Sequence, residues 1–196
     1  MKNELKKILP PAINLSSEML DQMQQHWELL LAWNSRVNLT SITSPREAAA
    51  RHYRDSLATM EHGLRGPIVD MGSGGGFPGI PLAIAMPETP VTLVEPRRKR
   101  VSFLRTAVSR LALNNVKVVM SRAEDGPKEP FMSLVTRATF SSPEELAGLL
   151  PWVLGDGMLY FHRSASCEPV AKSTRVLYDV DGDSRALDLL SAAQID

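Results

Sequence analysis

Residues 70 to 79 read Asp-Met-Gly-Ser-Gly-Gly-Gly-Phe-Pro-Gly, the densest concentration of possible chemistry in the chain. The apolar pair Ile68-Val69 precedes the run, and the apolar stretch Ile80 to Met86 follows it. A strand that turns through glycines into a helix suits a nucleotide-like ligand. Glycines let the backbone come close, and the start of the helix offers free N–H groups. Gly74-Gly75-Gly76-Phe77-Pro78-Gly79 fits the G-x-G-x-x-G dinucleotide fingerprint. Asp70, Gly72, Gly74 and Gly76 fit a second pattern, an acid followed by alternating glycines. A turn with no ligand is the weaker explanation for so many glycines between acids.

Charge separates the two patterns. A dinucleotide brings a pyrophosphate, which a carboxylate at the mouth of the loop would repel. S-adenosylmethionine (SAM) has no phosphate; its ammonium and sulfonium both favour a nearby acid. Asp70 therefore predicts SAM as the cofactor. Downstream, Val91-Thr92-Leu93-Val94-Glu95 forms a second strand ending in an acid, nineteen residues past Gly76. Glu95 can accept hydrogen bonds from both ribose hydroxyls, a feature that fits NAD equally well. A NAD-linked reductase is the weaker alternative.

The elements that must hold these residues follow from periodicity. Ser16 and Ser17 can cap a helix running to about Trp33, with Met19, Leu20, Met23, Trp27, Leu30 and Leu31 on one face. A polar segment, Asn34 to Ser44, precedes a second helix opened by Pro45 and running to about His62. From Ile68 the pattern alternates. Strands are predicted at 67–71, 91–95, 116–120, 133–137 and 158–162, and helices at 79–86, 97–113 and 143–154. Segments 174–180 and 185–190 predict a terminal antiparallel hairpin. This is an α/β pattern with a mostly parallel, Rossmann-like sheet. A boundary near Gly66 divides an N-terminal helical segment, 1–66, from a ligand-binding domain, 67–196.

Composition narrows the class. The 196 residues are 43% hydrophobic and 22% charged, and 22 basic residues balance 22 acidic ones. Net charge announces no nucleic-acid partner, so any basic surface must be local. Cys167 is the only cysteine, and the four histidines show no metal-ligand spacing, so no metal is expected. No apolar run approaches the roughly 20 residues that span a bilayer, and the N-terminus lacks the apolar core of a signal peptide. A cytoplasmic protein without membrane contact, and a monomer, is the expectation.

One helix carries a charge anomaly. Arg97, Arg98, Lys99 and Arg100 open it, and residues 96–115 hold six basic side chains and no acid. Cations in a first turn oppose the helix macrodipole, by roughly 0.3–1 kcal/mol each. A polyanionic partner such as RNA explains the arrangement better than solvation, which acids would serve as well.

These stretches together resemble the glucose-inhibited division protein B family, the 16S rRNA guanine-N7 methyltransferases. The matching residues are Trp33-Asn34 with Asn38-Leu39-Thr40-Ser41-Ile42, then His52-Tyr53-Arg54-Asp55-Ser56-Leu57. Asp70 through Leu82, Glu95 with Lys99-Arg100 and Phe103-Leu104, Ser121-Arg122-Ala123-Glu124 and Arg137-Ala138 complete the set. The resemblance covers about residues 14 to 163. Its specific part is Phe77-Pro78-Gly79-Ile80-Pro81, which generic methyltransferases lack. Met132 departs from the family's usual acid and Arg163 from a common lysine, and the basic tail of many relatives is missing after Leu190.

The resemblance implies SAM-dependent N7-methylation of a single guanine in 16S rRNA, free or in a small-subunit assembly intermediate. It implies that Asp70, Gly72, Gly74, Gly76, Phe77, Glu95, Ala123, Glu124 and Arg137 bind SAM. Arg137, His52 and Asn38 would position the reaction without a general base. Arg54 would join Arg97, Arg98, Lys99 and Arg100 in meeting RNA. Read from the residues alone, His52 is more simply a packed histidine and Asp55 an ordinary polar helix residue. The alternatives are a non-catalytic RNA- or nucleotide-binding protein, and a SAM enzyme with a non-RNA substrate.

Overall fold

Runs of aliphatic and β-branched residues become strands in the middle of the chain, and helically spaced apolar residues become the layers over them. The computed structural model describes residues 1–137 and 142–194, apart from the side chains of Pro143 and Glu144. Ala138, which the resemblance includes, lies outside the described residues.

Two helices begin the chain: α1 over Lys2–Ile8 and α2 over Ser17–Val37. The Ser16 hydroxyl accepts a hydrogen bond from the Met19 N–H at 3.1 Å, the N-cap expected from sequence. Helix α1 was not foreseen, because Leu5 is its one buried residue and a single position has no period. Helix α2 runs a turn past Trp33 to Asn38, whose φ of 51° ends it in the left-handed conformation that Asn tolerates. Asn34 then holds the exit. Its Oδ1 accepts from the N–H groups of Leu39 and Thr40 at 2.7 and 2.9 Å.

The segment from Pro45 to His62 is helical throughout but not one α-helix. It is α-helical over Pro45–Ala48 (α3), π-helical over Ala49–Arg54, α-helical over Asp55–Leu57 (α4) and 3₁₀ over Ala58–His62. Gly63, at φ 75°, ends it.

The alternating part supplies β1 (Ile68–Met71), α5 (Gly79–Ala85), β2 (Val91–Val94), α6 (Arg98–Arg110), β3 (Val116–Val119) and β4 (Phe131–Arg137). It continues with α7 (Pro143–Ala147), β5 (Val153–Ser164), β6 (Thr174–Val180) and β7 (Asp183–Ser191). Among the described residues the strands form one seven-stranded sheet, in the order β3-β2-β1-β4-β5-β7-β6. Strands β1 to β5 pair in parallel, and β7 runs antiparallel to both β5 and β6. The expected sheet and terminal hairpin are both present. The third predicted helix in this part needs correction. Helix α7 stops at Ala147 and β5 begins at Val153, because Gly148 and Pro151 break the helical run. The register slips between Phe131 and Ser133 of β4, and this absorbs Gly155-Asp156-Gly157 into the early part of β5.

Alternation along the strands sends side chains to two faces. Ile68, Leu93, Val135, Tyr160 and Leu187 pack with Met23, Trp27, Leu30, Tyr53 and Leu57, so the N-terminal helices share the core of one face. Val69, Met71, Val94, Leu134, Phe161 and Leu190 pack with Leu146, Leu149 and Trp152 on the other. Arg137, His162 and Arg185 have the parity of Val135, Tyr160 and Leu187. They therefore lie on the face that the N-terminal segment covers.

Candidate active site

The chain leaves β1 for β2 and β3, then returns to place β4 on the other side of β1. Such a switch point opens a crevice at the carboxyl ends of the strands, where ligands of open α/β sheets bind. The glycine loop and Arg137 both lie there. A groove of ≈ 500 Å³ lined by Gln22, Ala83, Glu88 and Asn114 lies instead near the amino ends of β2 and β3, away from this chemistry.

Left-handed backbone shapes the loop. Gly72, Gly74 and Gly76 have φ of 78°, 54° and 89°, a region that favours glycine. Two acids hold the loop. Asp70 Oδ2 accepts from the Gly79 N–H at 3.0 Å, tying the end of β1 to the first residue of α5. A side chain at Gly79 would not fit, since its Cβ would stand 2.3 Å from Leu93 Cδ2 and 2.6 Å from Asp70 Oδ2. Glu95 Oε2 accepts from the Gly74 N–H at 3.0 Å, and its Oε1 from the Arg97 N–H at 2.9 Å.

Both acids are buried, and they differ in what is left over. Asp70 Oδ1 is buried with no hydrogen-bond partner among the described residues. Burial pushes the Asp70 carboxyl up to about 7, against the opposing Gly79 N–H. An orphaned acceptor of this kind at the base of a glycine loop fits a cationic ligand. SAM, which carries an ammonium and a sulfonium, fits this donor and acceptor set; a pyrophosphate does not.

The N-terminal segment reaches the same loop through two histidines. His26 is buried; its Nε2–H donates to the Gly75 carbonyl at 3.1 Å, and Tyr53 OH donates to its Nδ1 at 2.9 Å. Gly75 O can only accept, and that fixes both directions. Burial pulls His26 down to about 3, so the ring is neutral in this chain of bonds. His52 Nδ1 accepts from an Arg137 Nη2–H at 3.3 Å and its Nε2 meets Thr40 Oγ1 at 2.8 Å. Burial, with Arg137 beside it, also pulls His52 down to about 3. Phe77 packs between them. Its ring stacks on His52 at 4.4 Å, meets Tyr53 edge-on at 5.3 Å, and lies 5.0 Å from Arg137 Cζ.

Several expected site residues therefore come together: Asp70, the glycines, Phe77, Glu95, His52 and Arg137. Others stand apart. Asn38 is exposed and serves as the left-handed C-cap of α2, and Thr40 on the same loop reaches His52. Ala123 lies in a short 3₁₀ turn, where its carbonyl accepts from Trp152 Nε1 at 2.6 Å, and Glu124 is exposed beside it. Arg97, Arg98 and Lys99 are exposed at the start of α6. Arg100 lies inward, with its guanidinium 3.6 Å from where a Gly74 Cβ would be. Arg54, expected at an RNA surface, is instead 7% exposed and pairs with Glu61 at 2.9 Å. It presents no cation to a partner, and its place in the π-turn is the reason.

Sequence reading missed four residues. His26 and Tyr53 carried no spacing signal, since their bonds depend on contacts across 27 and 49 positions. Tyr178 and Arg185 on the terminal hairpin bind the buried Asp55 carboxylate. Burial works against the Asp55 charge, but His162, then the hydrogen-bonded Arg185 guanidinium and Arg137, hold its pKa below the ordinary carboxylate value.

Comparison with known proteins agrees with this geometry. The fold is that of Rossmann-like SAM-dependent methyltransferases. A SAM-dependent methyltransferase from Aquifex aeolicus superposes with a TM-score of 0.58 at 16% identity, covering 74% of this chain and 93% of that one. MtNAS in complex with S-adenosylmethionine also gives 0.58, at 12% identity, covering 96% and 88%. The GidB family model, rRNA small subunit methyltransferase G, matches residues 19–181. Among relatives, the ribosomal RNA small subunit methyltransferase G of Solibacter usitatus (strain Ellin6076) is 39% identical over 169 residues, covering 84% of this chain and 80% of its own. That of Desulfitobacterium hafniense (strain Y51) is 36% identical over 185 residues, covering 92% and 74%. The chain belongs to the GidB family, and as a member of it is a SAM-dependent methyltransferase.

Proposed function

We propose that the protein methylates N7 of a guanine in 16S rRNA. The family match over residues 19–181 carries this reading, because the relatives it joins are named for small-subunit rRNA. The exposed cations Arg97, Arg98 and Lys99 support it, since they open α6 beside the loop, where a polyanion would be held near the cleft. The partner is then 16S rRNA, free or in a small-subunit assembly intermediate, met in the cytoplasm by a monomer.

SAM, when bound, supplies an electrophilic methyl group on a sulfonium. The chain's part is to hold and orient. Glu95 would accept from the ribose hydroxyls, Asp70 would offer Oδ1 to the positive charge, and the backbone at Ala123-Glu124 would meet the adenine. Guanine N7 has a free lone pair, so no proton must leave before attack. That agrees with His52, a neutral ring already committed to Arg137 and Thr40 rather than to a substrate proton. Arg137, held by Arg51 O, His52 and Asp55, places a positive charge at the carboxyl end of β4 beside the Phe77 ring. Catalysis then rests on positioning and electrostatics. The target base must be reachable, which favours a loop or flipped nucleotide.

The test maps N7-methylguanine in 16S rRNA from cells with and without this protein, and repeats the transfer with purified protein and tritiated SAM. One guanine should lose its mark in the deletion and regain it in the reaction. Identical maps would overturn the reading.

A further inference from the structure

Three charged contacts join the N-terminal segment to the terminal hairpin in a row. Arg46 donates through Nε and Nη2 to Asp181 at 2.8 and 2.9 Å. Arg51 Nε donates to Asp183 at 3.0 Å. Arg185 donates through Nε and Nη2 to Asp55 at 3.0 and 3.3 Å. Asp183 and Arg185 share one side of β7 and Asp181 stands in the turn just before it, so this end of the hairpin meets the helical segment. On the helical segment the spacing is five, then four. In an α-helix five residues would turn Arg51 about 140° from Arg46. The π-turn at Ala49–Arg54 takes up the extra residue and brings the two back toward one side.

The row runs inward. The Arg46 side chain is 71% exposed, Arg51 48% and Asp55 0%. The outer contacts are solvated and weak. The inner one is a buried carboxylate that also accepts from Tyr178 OH at 2.7 Å. At this inner end stands Arg137. Its Nη1 donates to the Arg51 carbonyl at 2.9 Å and lies 3.9 Å from Asp55, and its Nη2 donates to His52. Residues 51, 52 and 55 thus hold Arg137 from one short segment, and the hairpin holds that segment through Asp55.

We propose that Asp55 and Arg185 are positioning residues for methyl transfer, acting through Arg137. This rests on the function proposed above. Neither residue needs to touch SAM or RNA. Removing the Arg185 guanidinium takes away the closest cation on the buried Asp55 carboxylate and leaves it Tyr178 OH and, 3.9 Å away, Arg137 and His162. The π-turn then has reason to shift, and Arg137 shifts with it. A misplacement of about 1 Å is enough to cost up to about 100-fold in rate.

The experiment measures kcat on rRNA, SAM affinity and melting temperature in the full-length protein. Variants are Arg185→Met, Arg185→Lys, Asp55→Asn and Tyr178→Phe, with Leu113→Ala as a core truncation beside the far edge strand. Arg185→Met and Asp55→Asn should lower kcat about 10- to 100-fold, a larger fall than any loss of SAM affinity through Arg137. Arg185→Lys should restore part of the loss. Leu113→Ala should lower the melting temperature with kcat retained. Should Asp55→Asn not fold, Tyr178→Phe still tests the inner contact, since it removes one bond to Asp55 without baring the charge; a smaller fall in kcat at near-parent stability is expected. If Arg185→Met keeps the parent kcat, or kcat follows melting temperature equally in Arg185→Met and Leu113→Ala, the two residues only hold the fold. A parent that transfers no methyl group to RNA would fail first and separately, and would overturn the function itself.

Discussion

Asp70 concentrates the chemistry of the loop in one carboxyl. It was expected as a ligand acid, and the structure first makes it a strut, with one oxygen on the Gly79 N–H and the other buried without a partner among the described residues. Because burial raises it to about 7, a large share of it is protonated near neutral pH. A cation beside it favours the ionised form, so SAM binding should release protons, and affinity should rise with pH through about 7. Calorimetry in two buffers of different ionisation heat reads this directly; no proton release would mean that Asp70 does not sense the ligand. Glu95 divides its oxygens between Gly74 and Arg97, so Glu95→Ala should loosen the loop and weaken SAM binding by about 1.5–3 kcal/mol. SAM affinity equal to the parent's would remove Glu95 from the site. Gly79→Ala should destabilise the fold by about 1–3 kcal/mol through collision with Leu93 and Asp70, as denaturant unfolding would show.

At the scale of elements, α6 divides its labour along its length. Val101, Phe103, Leu104, Ala107 and Leu111 bury one side, while Arg97, Arg98 and Lys99 stay exposed at its start. No acid sits in the first turn to suit the macrodipole. Each phosphate contact adds about 0.7–0.9 to the slope of log affinity against log salt. Changing Arg97 and Arg98 to Gln should therefore flatten that slope and weaken RNA binding across sequences, with SAM binding spared. Parent-like affinity and slope would return the cluster to a solvated helix face. Arg100 is a poorer probe, because its guanidinium lies near Gly74. The π-turn is the second decisive element. It carries His52 and Tyr53 toward the glycine loop, places Arg51 O against Arg137, and buries Arg54, which no count of basic residues could have separated from its exposed counterparts.

For the whole molecule, pH response follows from three buried histidines. Burial pulls His26 and His52 down to about 3 and His162 to about 4. The unfolded chain protonates them near 6.5 and the folded chain does not, so their stabilising share is present above 6.5 and lost as pH falls toward 4 and 3. Asp70 works in the opposite sense. Its proton is held in the fold and released on unfolding above about 3.8, so its share is lost as pH rises toward 7. Three protons against one leave two favouring the unfolded chain between about pH 4 and 6.5. Stability should fall there by about 2–3 kcal/mol per pH unit of acidification. Thermal melts across that range check the slope, and a flat profile would show that the histidines are not held neutral. Sequence by itself determined the parts governed by local pattern. Glycine spacing and two acids at strand ends marked the loop, period-two and helical spacing gave the strands and α2, and a run of four cations marked α6. Tertiary structure decided which polar groups lose water. His26, Tyr53, Tyr178 and Arg185 are ordinary residues in their own neighbourhoods. They meet the glycine loop and Arg137 because strand parity and a π-turn bring positions as far apart as 55 and 185 together. Local periodicity records which face a residue is on; it does not record which distant partner will meet it there.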